Sequence, residues 1–143
     1  MARREQKSKN RGSAGNNRKT GEQFLALNQE KPGVFETDSG LQYMIIDEEE
    51  GRKPQQNDCV KIHQRALLLD GKVLEDTYRL NRPETVNIIE LIEGLIEGIQ
   101  LMTVGSRYKF WIPSELAWGR KGTGNKIPPN SVLIFDIRLL EIC

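Results

Sequence analysis

Residues able to do acid–base, nucleophilic or metal chemistry are few and scattered along this chain. Among 143 residues there is one histidine, His63, and there are two cysteines, Cys59 and Cys143. Two thiols fall short of a four-ligand zinc site or a disulfide scaffold, and a single imidazole excludes a conventional histidine metal cluster. His63 reads as a hydrogen-bonded sheet histidine. Glu75 and Asp76 end a hairpin, where a solvated turn and a ligand contact are equally open readings. The stretch 119–126 (GRKGTGNK) has the glycines of a phosphate loop but lacks its Lys-Ser/Thr pair, since Asn125 follows Gly124. Its cations Arg120, Lys121 and Lys126 predict instead a bias toward acidic ligand neighbours. Trp118, in the same Gly/Pro-rich loop, is a candidate contact residue, because tryptophan is enriched at binding surfaces.

These residues hang on two unlike parts. Residues 1–20 hold seven basic side chains (Arg3, Arg4, Lys7, Lys9, Arg11, Arg18, Lys19) against Glu5, a net +6 that leaves −5 for the rest of a chain whose total is +1. Only Met1, Ala2 and Ala14 are apolar there, too few to offset ordering entropy, so a disordered basic tail is expected. Such a tail is either solvated or tethers the chain electrostatically to RNA, a ribosome or another polyanion. It has no aromatic residue for base stacking, so that contact would be non-specific and salt-sensitive. No run approaches the roughly 18–20 apolar residues of a membrane helix. The first 30 residues also lack the apolar stretch and cleavage site of a secretory signal. The expectation is a cytoplasmic protein with reduced thiols and no membrane contact.

Past the tail, a short helix over 21–30 is expected, with Thr20 as N-cap, Gln23 completing a capping box and Lys31-Pro32-Gly33 stopping it. A linker then runs to residue 36. Leu41, Tyr43 and Ile45 alternate with Gln42 and Met44 as a strand does. A β-rich stretch over 59–69 meets Asp70-Gly71, a hairpin turn leading into a strand over 72–76. Leu91, Ile92, Leu95, Ile99 and Met102 recur at helical spacing, which predicts one body helix over 90–102. On periodicity alone these are core residues. Gly94 and Gly98 inside that helix cost about 1 kcal/mol each in propensity, so packing must hold it. A strand over 107–112, a long loop over 113–130 and a last strand over 132–142 complete an α+β order: an antiparallel sheet with one helix across it.

Several stretches together resemble the FKBP-type peptidyl-prolyl cis-trans isomerases: SGLQY (39–43), Ile62-His63, LLDGKV (68–73), EGIQLMTVGSRYKFWIP (97–113), ELAWG (115–119) and GNKIPPNSVLIFDIRLLEI (124–142). The stretch GEQFLALNQEKPGVFETDSGLQY is similar to the linker of bacterial members of the macrophage-infectivity-potentiator type. The resemblance implies a domain over 37–143 with a twisted antiparallel sheet around a short helix. It also implies isomerisation of Xaa-Pro bonds in proline-containing polypeptides, assisting their folding as a chaperone does, with no metal or organic cofactor. The implied pocket comprises Ile92, Trp118, Glu75 and Phe135 as catalytic positions and Gln64, Leu74, Val86, Leu91, Leu95 and Ile127 as substrate-binding ones.

The pocket departs from the family pattern. Gln64 replaces a tyrosine, Leu74 and Val86 replace phenylalanines, and Leu95 replaces the floor tryptophan. Glu75 stands for aspartate, and Trp118 for tyrosine. The implied site is apolar but poor in aromatic walls, so macrolide binding should be weak and isomerisation reduced. The alternative is a non-catalytic peptide-binding or chaperone module of the same fold. The family's strands also bring Cys59 and Cys143 near one another, with free thiols the expectation in a reducing compartment.

Overall fold

The computed structural model describes residues 14–123 and 126–143, with only the backbone described for 14–16. Most of the expected basic tail and its polyanion contact, residues 1–13, lies outside the described residues. Helix α1 spans Ala14–Asn28 and therefore starts well before Thr20. What holds it is docking. Asn17 Nδ2 donates to the Pro129 carbonyl at 2.9 Å, and a Cβ on Gly21 would lie 2.9 Å from Val132 Cγ2. Local capping, on which the expectation of a start at Thr20 rested, is overridden by this tertiary contact.

Seven strands form one antiparallel sheet: β1 Val34–Glu36, β2 Gln42–Asp47, β3 Cys59–Leu68, β4 Val73–Asp76, β5 Glu84–Asn87, β6 Arg107–Ile112 and β7 Leu133–Ile142. Their order is β1-β2-β6-β7-β3-β4, with β5 also on β3. β4 takes the second half of β3's free edge (Arg65↔Asp76) and β5 the first half (Val60↔Val86). β1, β5 and a one-turn helix α2 (Thr77–Leu80) were not foreseen; four residues or fewer carry too little periodicity to read. The Asp70-Gly71 turn is as expected, with Gly71 at φ +92° and Lys72 N–H bonded to Asp70 Oδ1 at 2.9 Å.

The expected helix over 90–102 is cut down. Ile88–Glu90 form a 3-10 turn, Leu91 and Ile92 are extended (ψ 172° and 154°), and helix α3 covers only Glu93–Ile99. It lies hard on the sheet. A Cβ on Gly94 would meet Ile112 at 2.5 Å, and one on Gly98 would meet the Phe110 ring at 2.7 Å. The two glycines that weaken the helix locally are thus what allow its close approach. Leu95, Ile99 and Met102 join Phe110, Ile112, Phe135, Ile137 and Leu139 in one core.

Gln42, a polar residue in the alternation of β2, is fully buried, because α1 covers it. Its amide accepts from Asn28 Nδ2 at 2.8 Å and donates to the Leu25 carbonyl at 2.9 Å. The cysteines also correct the expectation of free thiols. Cys59 and Cys143 are joined as a disulfide with Cα atoms 5.2 Å apart. A register shift between Lys61 and Ile62 pairs Val60 with Ile142, which puts the two thiols side by side.

Gly98→Ala should lower stability by about 1–3 kcal/mol despite alanine's better helix propensity, because overpacking against Phe110 outweighs it. A urea midpoint at or above the parent's would show that the ring yields freely.

Candidate functional site

An open cleft of about 670 Å³ lies between α3 and the sheet, walled on one side by the loop after β6. The extended Leu91-Ile92 pair forms its lip. The Ile92 carbonyl starts α3 by accepting from Leu95 and Ile96 N–H at 2.9 and 3.0 Å. Its own N–H meets no acceptor among the described residues. Ala66, Leu95, Ile127, Leu133 and Phe135 make an apolar floor, each less than a tenth exposed. Trp118, 46% exposed, stands at the opening after the 3-10 turn Ser114–Leu116.

The loop carrying Trp118 and Ile127 is tied at its base, with Gly119 N–H to the Ser114 carbonyl at 2.9 Å and Asn130 N–H to the Gly119 carbonyl at 2.8 Å. A second tie, Thr123 N–H to the Ile127 carbonyl at 2.9 Å, sets Ile127 toward the floor. Its tip residues 124 and 125 are outside the described residues.

Of the sequence-derived positions, Gln64, Leu74, Glu75, Leu91, Ile92, Leu95, Trp118, Ile127 and Phe135 all line this cleft. Val86 does not. It sits in β5 opposite Val60, half-buried against the core, because β5 pairs with the start of β3 while the cleft opens beside its second half. Gln64 and Ala66 of β3 face the cleft; residues 59–62 are a strand's half-length away. Sequence reasoning missed Ala66, Glu90, Glu93, Ala117, Thr123 and Leu133, which also line it. The alternation of β7 carried a signal for Leu133, two residues before Phe135 on the same face.

The loop carries its expected cations, but few of them line the cleft. Only Lys126 of its three cations reaches the cleft, whereas Glu75, Glu90 and Glu93 all do. The Glu75 carboxyl is held above its ordinary pKa, first by desolvation, then by the hydrogen bond and charge of Glu84, with Lys126 partly opposing. Gln64 Nε2 in turn donates to Glu84 Oε1 at 3.0 Å.

His63 sits outside the cleft as the sheet histidine expected, with Nδ1 2.9 Å from Thr77 Oγ1 and its ring stacked on Tyr78 at 5.0 Å. Burial and the neighbouring Asp136 push the Tyr78 phenol upward. No group of three or more His, Cys, Asp or Glu among the described residues is placed to hold a metal ion.

A family model described as FKBP-type peptidyl-prolyl cis-trans isomerase matches residues 50–140. The chain belongs to this family. A second model, the domain amino-terminal to FKBP-type peptidyl-prolyl isomerase, matches residues 1–45. The chain is 45% identical over 126 residues to the FKBP-type isomerase FkpA of Aeromonas hydrophila, covering 88% of itself and 47% of that protein. It is 39% identical over 126 residues to the outer membrane protein MIP of Legionella longbeachae, covering 88% of itself and 54% of that protein. It thus spans about half the length of the curated FKBP relatives it matches. The crystal structure of FkpA from Escherichia coli superposes with a TM-score of 0.86 at 32% identity, over 90% of this chain and 60% of that one. The antiparallel sheet wrapped on a short helix is the FKBP fold.

The raised Glu75 pKa has a defined sign for stability. Its contribution is fully present below the ordinary value near 4.5 and is lost as pH rises through the folded value. Glu75→Gln keeps a neutral, donating side chain next to Glu84. Its urea midpoint should therefore gain on the parent's as pH rises above about 4.5. A difference that does not change with pH would remove Glu75 from that contact.

Proposed function

We propose that the chain catalyses cis–trans isomerisation of Xaa-Pro bonds in polypeptides, in the cleft lipped by Ile92 and roofed by Trp118. Rotation about that bond crosses a barrier of about 18–20 kcal/mol, and no bond is made or broken. The twisted transition state has lost amide resonance and is less dipolar than the planar amide. An apolar floor therefore favours it, provided donors hold the flanking carbonyls. A thousandfold acceleration requires about 4 kcal/mol.

The observation that carries this reading is a backbone donor with no acceptor among the described residues, Ile92 N–H, set in the wall of an apolar-floored cleft. Trp118 supplies a second donor through its indole N–H. Leu95, Ile127 and Phe135 exclude water from the proline ring, and Leu74 and Leu91 close the sides. Glu75, acting as a rim carboxyl, and Gln64 orient the chain that enters. Because Leu74 and Leu95 are aliphatic, a macrolide finds little flat surface to stack on, and its affinity should be low. The Cys59–Cys143 disulfide supports action in an oxidising compartment rather than the cytoplasm expected from the sequence. The +6 charge of residues 1–20 supports a salt-sensitive contact with RNA or another polyanion.

Substoichiometric protein should speed cis/trans exchange in Xaa-Leu-Pro peptides, read by NMR exchange spectroscopy, and Trp118→Ala should lower kcat/KM about tenfold, some 1.4 kcal/mol. Exchange at the uncatalysed rate with peptide resonances still shifting would leave a binding or chaperone module and not an enzyme. For the N-terminus, retention on immobilised RNA should vanish between low and moderate salt; retention that ignores salt would rule out the electrostatic tether.

A further inference from the structure

The cleft floor is apolar, but its rim is acidic and electrically unmatched. Glu75, Glu90 and Glu93 line it against one cation, Lys126. Glu84 adds a fourth carboxylate directly behind Glu75, held there by Gln64. Carboxylates elsewhere on the sheet are treated differently. Asp136 is bonded by Arg107 at 2.7 Å, Asp76 by Arg65 at 3.3 Å, Asp47 by Arg138 at 3.3 Å, and Glu141 lies 4.0 Å from Lys61. No cleft carboxylate has such a partner among the described residues. Glu90 accepts only from the Asn87 amide, at 3.2 Å.

Four sheet carboxylates have an Arg or Lys within reach, and the cleft carboxylates face only Lys126, which leaves an excess of negative charge around a hollow that otherwise repels water. The carboxylates are spread around the rim rather than converging, so they suit cations arriving on a flexible chain and not one metal ion. We propose that this rim selects polypeptide segments that carry lysine or arginine next to the Xaa-Pro bond. The inference rests on the reading of the cleft as the Xaa-Pro site and names the class of chain it takes. The rim carboxylates are exposed, so they act on encounter and choice more than on tightness of binding. Glu90 and Glu93 flank Leu91-Ile92, where the substrate backbone is held, and are the residues best placed to read a neighbouring side chain.

Three peptides identical except for Lys, Ala or Glu flanking a Leu-Pro pair provide the test with the full-length protein. Two readouts are taken on each: cis/trans exchange rate, and binding by chemical-shift titration. At low ionic strength the Lys peptide should bind and turn over roughly three- to tenfold better than the Glu peptide, a preference that fades by about 0.5 M salt. The Glu90→Gln/Glu93→Gln double variant should bring the Lys-to-Glu ratio toward one, and the salt series checks the same charge effect without any substitution. Equal Lys and Glu peptides, or a favoured Glu peptide, overturn the selection even if the Ala peptide is isomerised. Lys preference in binding without faster exchange of any peptide would uphold the selection and sink the isomerase. No binding of any peptide overturns both.

Discussion

Phe110 and Ile112 leave no space for a Cβ on the helix face above them, and the rest of the domain follows from that contact. A helix allowed this close has one short span, Glu93–Ile99, in which to bury Leu95 and Ile99, and it rests on the C-terminal half of β6. Its first turn begins abruptly after the extended Leu91-Ile92 pair, and the Ile92 N–H at the edge of the hollow has no acceptor among the described residues. Interior packing this dense resists even one added carbon. The position of the cleft's lip is therefore set by glycines that never touch it.

A second layer fixes the opposite wall. α1 lies on the outer face of β2 and reaches the Pro129–Val132 segment that follows Ile127 in the loop. The buried Gln42 and Asn28 amides link this helix to the sheet, and a buried polar pair is stable only when its hydrogen bonds are made. The loop is thus clamped between its own base ties and a helix from the other end of the chain.

Charge is distributed with the same division of labour. On the sheet, Asp47, Asp76, Asp136 and Glu141 are each matched by an arginine or lysine. At the cleft, apolar side chains remove water while the carboxylates around them are left for whatever enters. Isomerisation depends on the first of these features and choice of substrate on the second, so the two properties can vary independently in one site.

Much of this was legible in the residues themselves. Period-2 alternation identified β2 and β6, β-rich composition marked β3, the Asp70-Gly71 turn placed the hairpin, and the matching stretches together pointed to the family and to ten cleft positions, nine of which the structure brings together. These signals are local, because side-chain period and turn chemistry are properties of a few consecutive residues. What depends on neighbours distant in sequence was not legible. Whether Gly94 and Gly98 weaken a helix or permit its docking depends on residues 110 and 112, and the full extent of α1 depends on Pro129 and Val132. Val86 drops from the site because β5 shares an edge of β3 with β4, a choice of register rather than of residue. The joining of Cys59 to Cys143 and the acidic rim arise the same way: residues far apart in the chain meet only when seven strands have found their order, and only then does the sign of the charge around the cleft exist.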